Sequence, residues 1–392
     1  MKEIDLVNSK KENCCGCGLC SQICPVDAIE MIEDDYGYIY PKIQKDKCIH
    51  CNKCVRNCIM NNTHNYNMPL KTFAGVRTDK KKLFHSSSGG VFAATADYII
   101  ENNGLVCGAV IKSDFSVVHM IISNKKDIQP LLGSKYVQSN IVPIFSKINE
   151  YLNNNRTVLF CGTPCQVDAI KKYTNNSPNL ITIEIICHGV PNQAMFKSYI
   201  KLLNKKEIDK FVFRDKGQGW SFNHKVFYKD GSNKKINHRL SSYMTMFMNG
   251  CIYRESCYSC PYAQKKRNAD VTIGDFWGVV RKRPELAKEI DIDKGVSCVI
   301  VNSKKGMEIL EKSKITLYPV NYEDIYDGNG PLNAPSKKSN NYNEVQETWK
   351  KTQSWTYIEK YWKDHYYSVK FKMWSLLPNN IRNIVRIMLK VR

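Results

Sequence analysis

The sequence predicts a chain of mixed α+β and α/β class in three parts. A small cysteine-rich module covers residues 1–68, a mixed α/β domain residues 69–335, and a basic helical tail residues 336–392. Three observations predict this. Eight of the 17 cysteines fall in two equally spaced runs before residue 60. From residue 91 onward, short apolar runs suited to buried strands alternate with stretches of helical periodicity. After residue 335 aromatic and basic residues concentrate: four of the six tryptophans (Trp349, Trp355, Trp362, Trp374) lie there.

The first part is justified by spacing. Cys14, Cys17, Cys20 and Cys24, followed by Pro25, read C-x2-C-x2-C-x3-C-P, and Cys48, Cys51, Cys54 and Cys58 repeat it with Ile59 in place of proline. This is the bacterial ferredoxin spacing. A short loop with a thiolate at every third residue wraps three corners of a 4Fe–4S cubane, and the fourth cysteine reaches the other cluster. Cys14, Cys17 and Cys20 are therefore expected to share a cluster with Cys58, and Cys48, Cys51 and Cys54 with Cys24. Cys15 is a surplus thiol expected not to bind iron. A pair of zinc knuckles is the competing reading.

Composition agrees. Hydrophobic residues make up 43% of 392 residues, enough for a substantial core. The start, "MKEIDLVNSKK", has no apolar h-region and no run of eighteen apolar residues occurs, so neither a secretory signal nor a transmembrane helix is expected. In a cytoplasmic chain so many cysteines point to metal or redox chemistry rather than disulfides. The formal charge of +21 favours acidic partners. No aromatic-basic binding motif accompanies it, so nucleic acid is not expected.

In the second part, residues 61–72 are polar and read as a linker. "LVCGAVI" (105–111), "RTVLFC" (156–161) and "LITIEIIC" (180–187) read as buried strands. Segments 91–104, 142–154 and 192–206 read as helices, 229–233 as a hairpin turn, and 296–320 as strand–helix–strand. Two junctions favour a phosphate. In "FCGTPCQ" a strand ends at Gly162, Thr163 can cap a helix and Pro164 suits its first turn. In "SSSGG" Ser88 can cap a helix, while Gly89 and Gly90 permit close backbone approach. Cys251, Cys257 and Cys260, with Pro261, form a third thiol group that lacks a fourth ligand; Cys165, Cys187 or neither could supply it. Cys161, Cys107 and Cys298 read as core.

"HSSSGGVFAA", "GSKYVQS", "FCGTPCQ", "ICHGVP", "FRDKGQGW", "CIYRESCYSCPYA" and "DVTIGDFWG" follow one another between residues 85 and 278. In this order they resemble the beta-subunit family of coenzyme F-420-reducing hydrogenases and dehydrogenases, over roughly residues 70–320. The resemblance implies a flavin-binding domain that holds FAD and a further 4Fe–4S cluster. It puts Ser88, Gly89 and Gly90 beside the flavin, Lys135 near the flavin or its phosphates, Gly162, Thr163 and Pro164 at a phosphate-binding turn, and His188 in the same cleft. It assigns no catalytic acid or base. The implied activity is that of a ferredoxin-linked, flavin-dependent oxidoreductase, passing electrons between clusters and FAD, to or from a deazaflavin coenzyme or another small acceptor. The alternative is a non-catalytic electron-transfer subunit of a larger complex, linked to polysaccharide biosynthesis. Small redox proteins or a partner oxidoreductase are the expected partners.

The third part has ten Lys/Arg against two acids from Trp349 onward. Ile381, Ile384, Val385 and Met388 fall on one helical face and Arg382, Arg386 and Lys390 on another. This is the pattern of a basic amphipathic helix, suited to a partner or a peripheral contact at the inner membrane face. A helix packed on the chain's own core is the competing expectation.

Overall fold

The computed structural model describes residues 10–61, 66–217, 219–377 and 381–382. The strands, in chain order, are β1 (Ile29–Glu33), β2 (Ile39–Ile43), β3 (Lys71–Arg77), β4 (Leu105–Ile111), β5 (Val117–Ile122), β6 (Val158–Gly162), β7 (Leu180–Ile185), β8 (Ile208–Val212), β9 (His224–Tyr228), β10 (Asn233–Ile236), β11 (Val271–Asp275), β12 (Ser297–Val301) and β13 (Ile315–Pro319). They form three sheets.

In the N-terminal module, β1 and β2 pair antiparallel, and each cysteine run enters a one-turn helix, Leu19–Gln22 or Lys53–Arg56. The central sheet has eight strands in the order β13-β3-β12-β11-β7-β6-β4-β5. Pairs β4–β6, β6–β7 and β7–β11 are parallel, and the others antiparallel. Parallel strands are covered on both faces, which is why β4, β6 and β7 read as continuous apolar runs. Two antiparallel steps separate β3 from β11, so β3, β4, β6, β7 and β11 all point the same way. Their carboxyl ends form one edge, where open α/β sheets place ligand clefts. The third sheet, β8–β9–β10, carries the hairpin expected at 229–233.

Three readings change. The linker ends early: the Asn67 amide bonds to the Arg267 carbonyl and β3 begins at Lys71, inside the polar stretch. Helix Val91–Glu101 is capped by Gly90, in the left-handed region at φ 78°. Ser88 does not cap it, because its hydroxyl donates to the Val296 carbonyl at 2.8 Å. The tail is part of the core. Trp349, Trp355 and Trp362, on helices Tyr342–Thr352 and Trp355–Tyr366, are buried against Phe196, Tyr199 and Tyr243. Trp349 Nε1 also donates to the Tyr36 carbonyl of the cysteine-rich module, at 2.9 Å. Of the expected amphipathic helix, Ile384, Val385, Arg386, Met388 and Lys390 lie outside the described residues. No described helix is long and apolar enough to cross a membrane.

Candidate functional site: cysteine-lined cavities leading to a cleft

The first cavity is lined by Cys14, Cys17, Cys20 and Cys58, with Leu19, Met31 and Pro41 closing it. The first run thus meets the last cysteine of the second. Cys54, in turn, is within electrostatic reach of Cys51 and Cys24. Cys48 begins the second run at a turn in which its amide bonds to the Gln44 carbonyl, and Cys51 is exposed.

The second cavity lies between the module and the large domain. Cys15, Cys165, Cys187, Cys257 and Cys260 line it, together with Met60, Pro261 and Arg267. Cys165 stands in the first turn of helix Pro164–Tyr173, and Cys187 just beyond β7. Cys251 is not among the lining residues. The chain turns after helix Ser242–Met248 and buries Cys251 in the aromatic core, its sulfur 3.9 Å from the Tyr366 hydroxyl. Cys15 and Met60 line both the first and second cavities.

The cleft, of about 500 Å³, sits at the carboxyl edge of the parallel strands. That volume falls within the range of small-molecule and cofactor sites. Ser88, Gly90, Lys135, Gly162, Thr163 and His188 line it; Gly89 and Pro164 are not among its lining residues, and Pro164 lines the second cavity. Thr163, Cys165, Cys187 and His188 line both cleft and second cavity, so a single layer of residues separates them. Thr163 caps its helix with Pro164 in the first turn, and its amide donates to Gln166 Oε1 at 3.1 Å. The starts of helices Val91–Glu101 and Pro164–Tyr173 therefore both open on the cleft, where the positive ends of their dipoles suit a pyrophosphate. Cys161 packs against the core as expected and also lines the cleft.

Gly89 is a glycine for packing: a Cβ would lie 2.0 Å from the Gly75 carbonyl oxygen. Lys135 commits its ammonium to the carbonyls of Pro130, Leu131 and Leu132 at 2.8–2.9 Å. Its three donors are used, so it offers a ligand charge rather than a hydrogen bond. Burial pulls its pKa down to about 7. His119, buried beside it, is pulled down to about 4. Burial also lowers His188.

Among the described residues no three His, Cys, Asp or Glu side chains converge on a single-ion site. The cysteines surround cavities instead, as a multi-atom cluster requires.

Comparison with known proteins adds two matches. Residues 13–62 match the model of a 4Fe-4S dicluster domain. Residues 155–320 match the model for the C terminus of the coenzyme F420 hydrogenase/dehydrogenase beta subunit. The chain is thus an iron–sulfur electron-transfer protein related to the beta subunits of an oxidoreductase family. No curated protein matches the chain. Among solved structures, a chain of the F420-reducing NiFe hydrogenase complex from Methanosarcina barkeri is similar, with 17% identity, 72% of this chain and 93% of that chain covered, and a TM-score of 0.45.

The beta-subunit region also holds residues that motif reading passed over. Arg214 Nη1 meets Asp275 Oδ2 at 2.7 Å, and Trp220 Nε1 donates to Asp275 Oδ1 at 2.8 Å. Burial alone would lower the pKa of Arg214, but Asp275 and Tyr136 more than offset it and hold the guanidinium charged. Trp220 stacks on Trp277 at 4.6 Å, and Trp277 faces the cleft. Lys216 donates to the carbonyls of Ser88, Leu83 and Lys294, bracing the loop that carries Ser88. Burial, and Arg214 beside it, bring Lys216 down to about 7. Arg214, Lys216, Trp220, Asp275 and Trp277 all lie in "FRDKGQGW" or "DVTIGDFWG", but only the fold shows that these motifs meet.

Proposed function

We propose that the chain is a ferredoxin-linked, flavin-dependent oxidoreductase in which three 4Fe–4S clusters lead to an FAD in the cleft. The observation that carries this reading is the sharing of walls. The second run adjoins the first-run cavity, which shares Cys15 and Met60 with the second cavity, which shares Thr163, Cys165, Cys187 and His188 with the cleft. Clusters supply one-electron transfer, and a flavin exchanges single electrons for a two-electron or hydride transfer.

Each part has its residues. Cys14, Cys17, Cys20 and Cys58 would hold the inner cluster of the N-terminal module, and Cys48, Cys51, Cys54 and Cys24 the outer one. Cys165, Cys187, Cys257 and Cys260 would hold the third, a set that leaves out Cys251 and takes in both open candidates. The helix starts at Val91 and Pro164 would bind the FAD pyrophosphate, and Lys135 would add its charge. Trp277 and Phe222 offer aromatic faces in the cleft for a planar acceptor. The acceptor is a deazaflavin coenzyme or another small molecule. On the outer side, electrons would be exchanged with a small acidic redox protein, in the cytoplasm.

Anaerobic purification followed by iron, sulfide and flavin analysis tests this. About twelve irons per chain, four per cubane, and one FAD are expected. Eight irons would remove the third cluster, and a cluster-loaded chain that takes up no flavin would leave only an electron carrier.

A further inference from the structure

Arg254 is completely buried where the N-terminal module meets the large domain. Its Nη1 donates to the Cys14 carbonyl at 3.2 Å and its Nη2 to the Ile39 carbonyl at 2.7 Å, both in the module. Its Nε donates to Gln138 Oε1 at 3.0 Å. The guanidinium plane lies over Tyr40 at 4.5 Å and Tyr38 at 5.4 Å. These partners are neutral oxygens and rings. Among the described residues no carboxylate forms an ion pair with Arg254, unlike the buried guanidiniums at Arg77, Arg214 and Arg267. A buried charge without a counter-charge is strongly unfavourable, so its position asks for anions nearby.

Two observations say where those anions belong. The first run is wrapped onto the guanidinium: a Cβ on Gly16 would stand 2.5 Å from Nη2 and 2.7 Å from Cζ. The Arg254 backbone belongs to the other cavity, since its amide bonds to the Val190 carbonyl and its carbonyl accepts from the Cys257 amide at 2.9 Å. One cation thus touches the loop of Cys14 and Cys17 and leads into the turn of Cys257 and Cys260.

We infer that Arg254 is the shared counter-ion of the two inner clusters, the one at Cys14, Cys17, Cys20 and Cys58 and the one at Cys165, Cys187, Cys257 and Cys260. This rests on the cluster assignment proposed above. A cubane held by four thiolates carries a charge of about −2, and one-electron reduction adds one more negative charge without a proton. A fixed cation stabilises the more negative state more, so Arg254 raises the reduction potential of both inner clusters. The outer cluster, on the exposed run, lies beyond its contacts and serves as the internal reference. Arg254 is a positioning residue for charge.

The test is an anaerobic redox titration followed by EPR on the full chain, with iron counted first. Arg254→Met should lower the midpoints of the two inner clusters and leave the outer one unmoved, while Arg254→Lys should stay close to the parent chain. Unmoved inner midpoints at full iron content, or an equal shift of all three clusters, would overturn the inference. If Arg254→Met fails to load iron, Arg254→Lys decides: loading with the charge retained upholds the counter-ion role, and loss of loading there too overturns it. A parent chain holding only eight irons would instead show that the third-cluster assignment is wrong, whatever Arg254 does.

Discussion

Residues 14–20 and 48–54 carry cysteines at the same three positions and bend the same way. Gly16 and Gly18 have φ of 66° and 76°, and their counterparts His50 and Asn52 have 53° and 55°. Glycine makes these angles easy, yet the second run adopts them with side chains in place. The difference lies outside the backbone. Arg254 occupies the space a Cβ on Gly16 would need, and Val142 Cγ2 would stand 2.3 Å from a Cβ on Gly18. His50 and Asn52 are exposed, as are Cys51, Lys45, Lys47, Lys53 and Arg56. Cys15 is buried against the second cavity, whereas its counterpart Ile49 is 60% exposed. One spacing therefore serves two tasks: the first run is an inner joint to the large domain, and the second is an outer, basic surface.

The largest test of that division is chemical. Cys58→Ala should cost the inner cluster of the module and Cys24→Ala the outer one, each removing about four irons. Iron analysis with EPR of the remaining centres distinguishes them. If Cys24→Ala removes the first-run signal instead, inner and outer have been assigned the wrong way round.

The next test is steric. Gly16→Ala forces a Cβ against Arg254 and the Ile39 carbonyl at a left-handed angle, and should destabilise the loaded chain by roughly 2 kcal/mol or more. His50→Gly removes a side chain from the same angle in open surroundings, and should be neutral or stabilise by up to about 1 kcal/mol. Anaerobic thermal unfolding of both variants checks this. Equal effects would mean that the two runs share an environment after all.

The third test uses charge. Reversing Lys45, Lys47 and Lys53 to Glu should slow reduction by an acidic ferredoxin at least about tenfold at low ionic strength, with the difference closing as salt screens it. Stopped-flow reduction measured across a salt series reads this. A rate indifferent to the reversal would move the docking surface elsewhere.

Much of this was legible in the sequence, because cysteine spacing and apolar runs are local signals. The strand at 105–111 matches β4 residue for residue, since a buried parallel strand is written as an unbroken apolar run. What escaped depends on packing between distant residues. β3 was hidden because "KTFAGVR" opens with polar residues that close a polar stretch. Cys251 has metal-ligand spacing but turns into an aromatic core that draws in residues as distant as Tyr366, 115 positions later. The tail read as a basic, aromatic-rich part of its own, although the indoles of Trp349, Trp355 and Trp362 complete the core of the large domain. Arg254 stands inside "CIYRESCYSCPYA", where the cysteine spacing gives it no role; its meaning comes from Cys14, 240 residues earlier. The roles of the flavin residues came from resemblance, and geometry alters two reasons: Gly89 is fixed by Gly75, and Lys135 has no donor to spare.

The smallest expected effect contrasts the two ends of the path, where salt acts on the outer run and pH acts on the cleft. Lys135 lies in the cleft with a pKa pulled down to about 7 by burial. Below that pH it is charged with or without a ligand, so its attraction for a pyrophosphate is complete. Above it, the free chain holds a neutral amine and must take up a proton to bind an anion, so affinity falls as pH rises. Of the other groups nearby, His119 is neutral above about 4 and His188 is lowered as well, whereas Lys216, also brought down to about 7, braces the Ser88 loop, so the Lys135→Met comparison is what separates the two lysines. FAD binding, followed by flavin fluorescence, should weaken by up to about tenfold between pH 6 and 9, equivalent to one pKa unit of coupling. Riboflavin, which has no phosphate, should show no such slope, and Lys135→Met should flatten the FAD profile to match it. A slope that survives in Lys135→Met would take Lys135 away from the phosphates and leave the two helix starts to bind them alone.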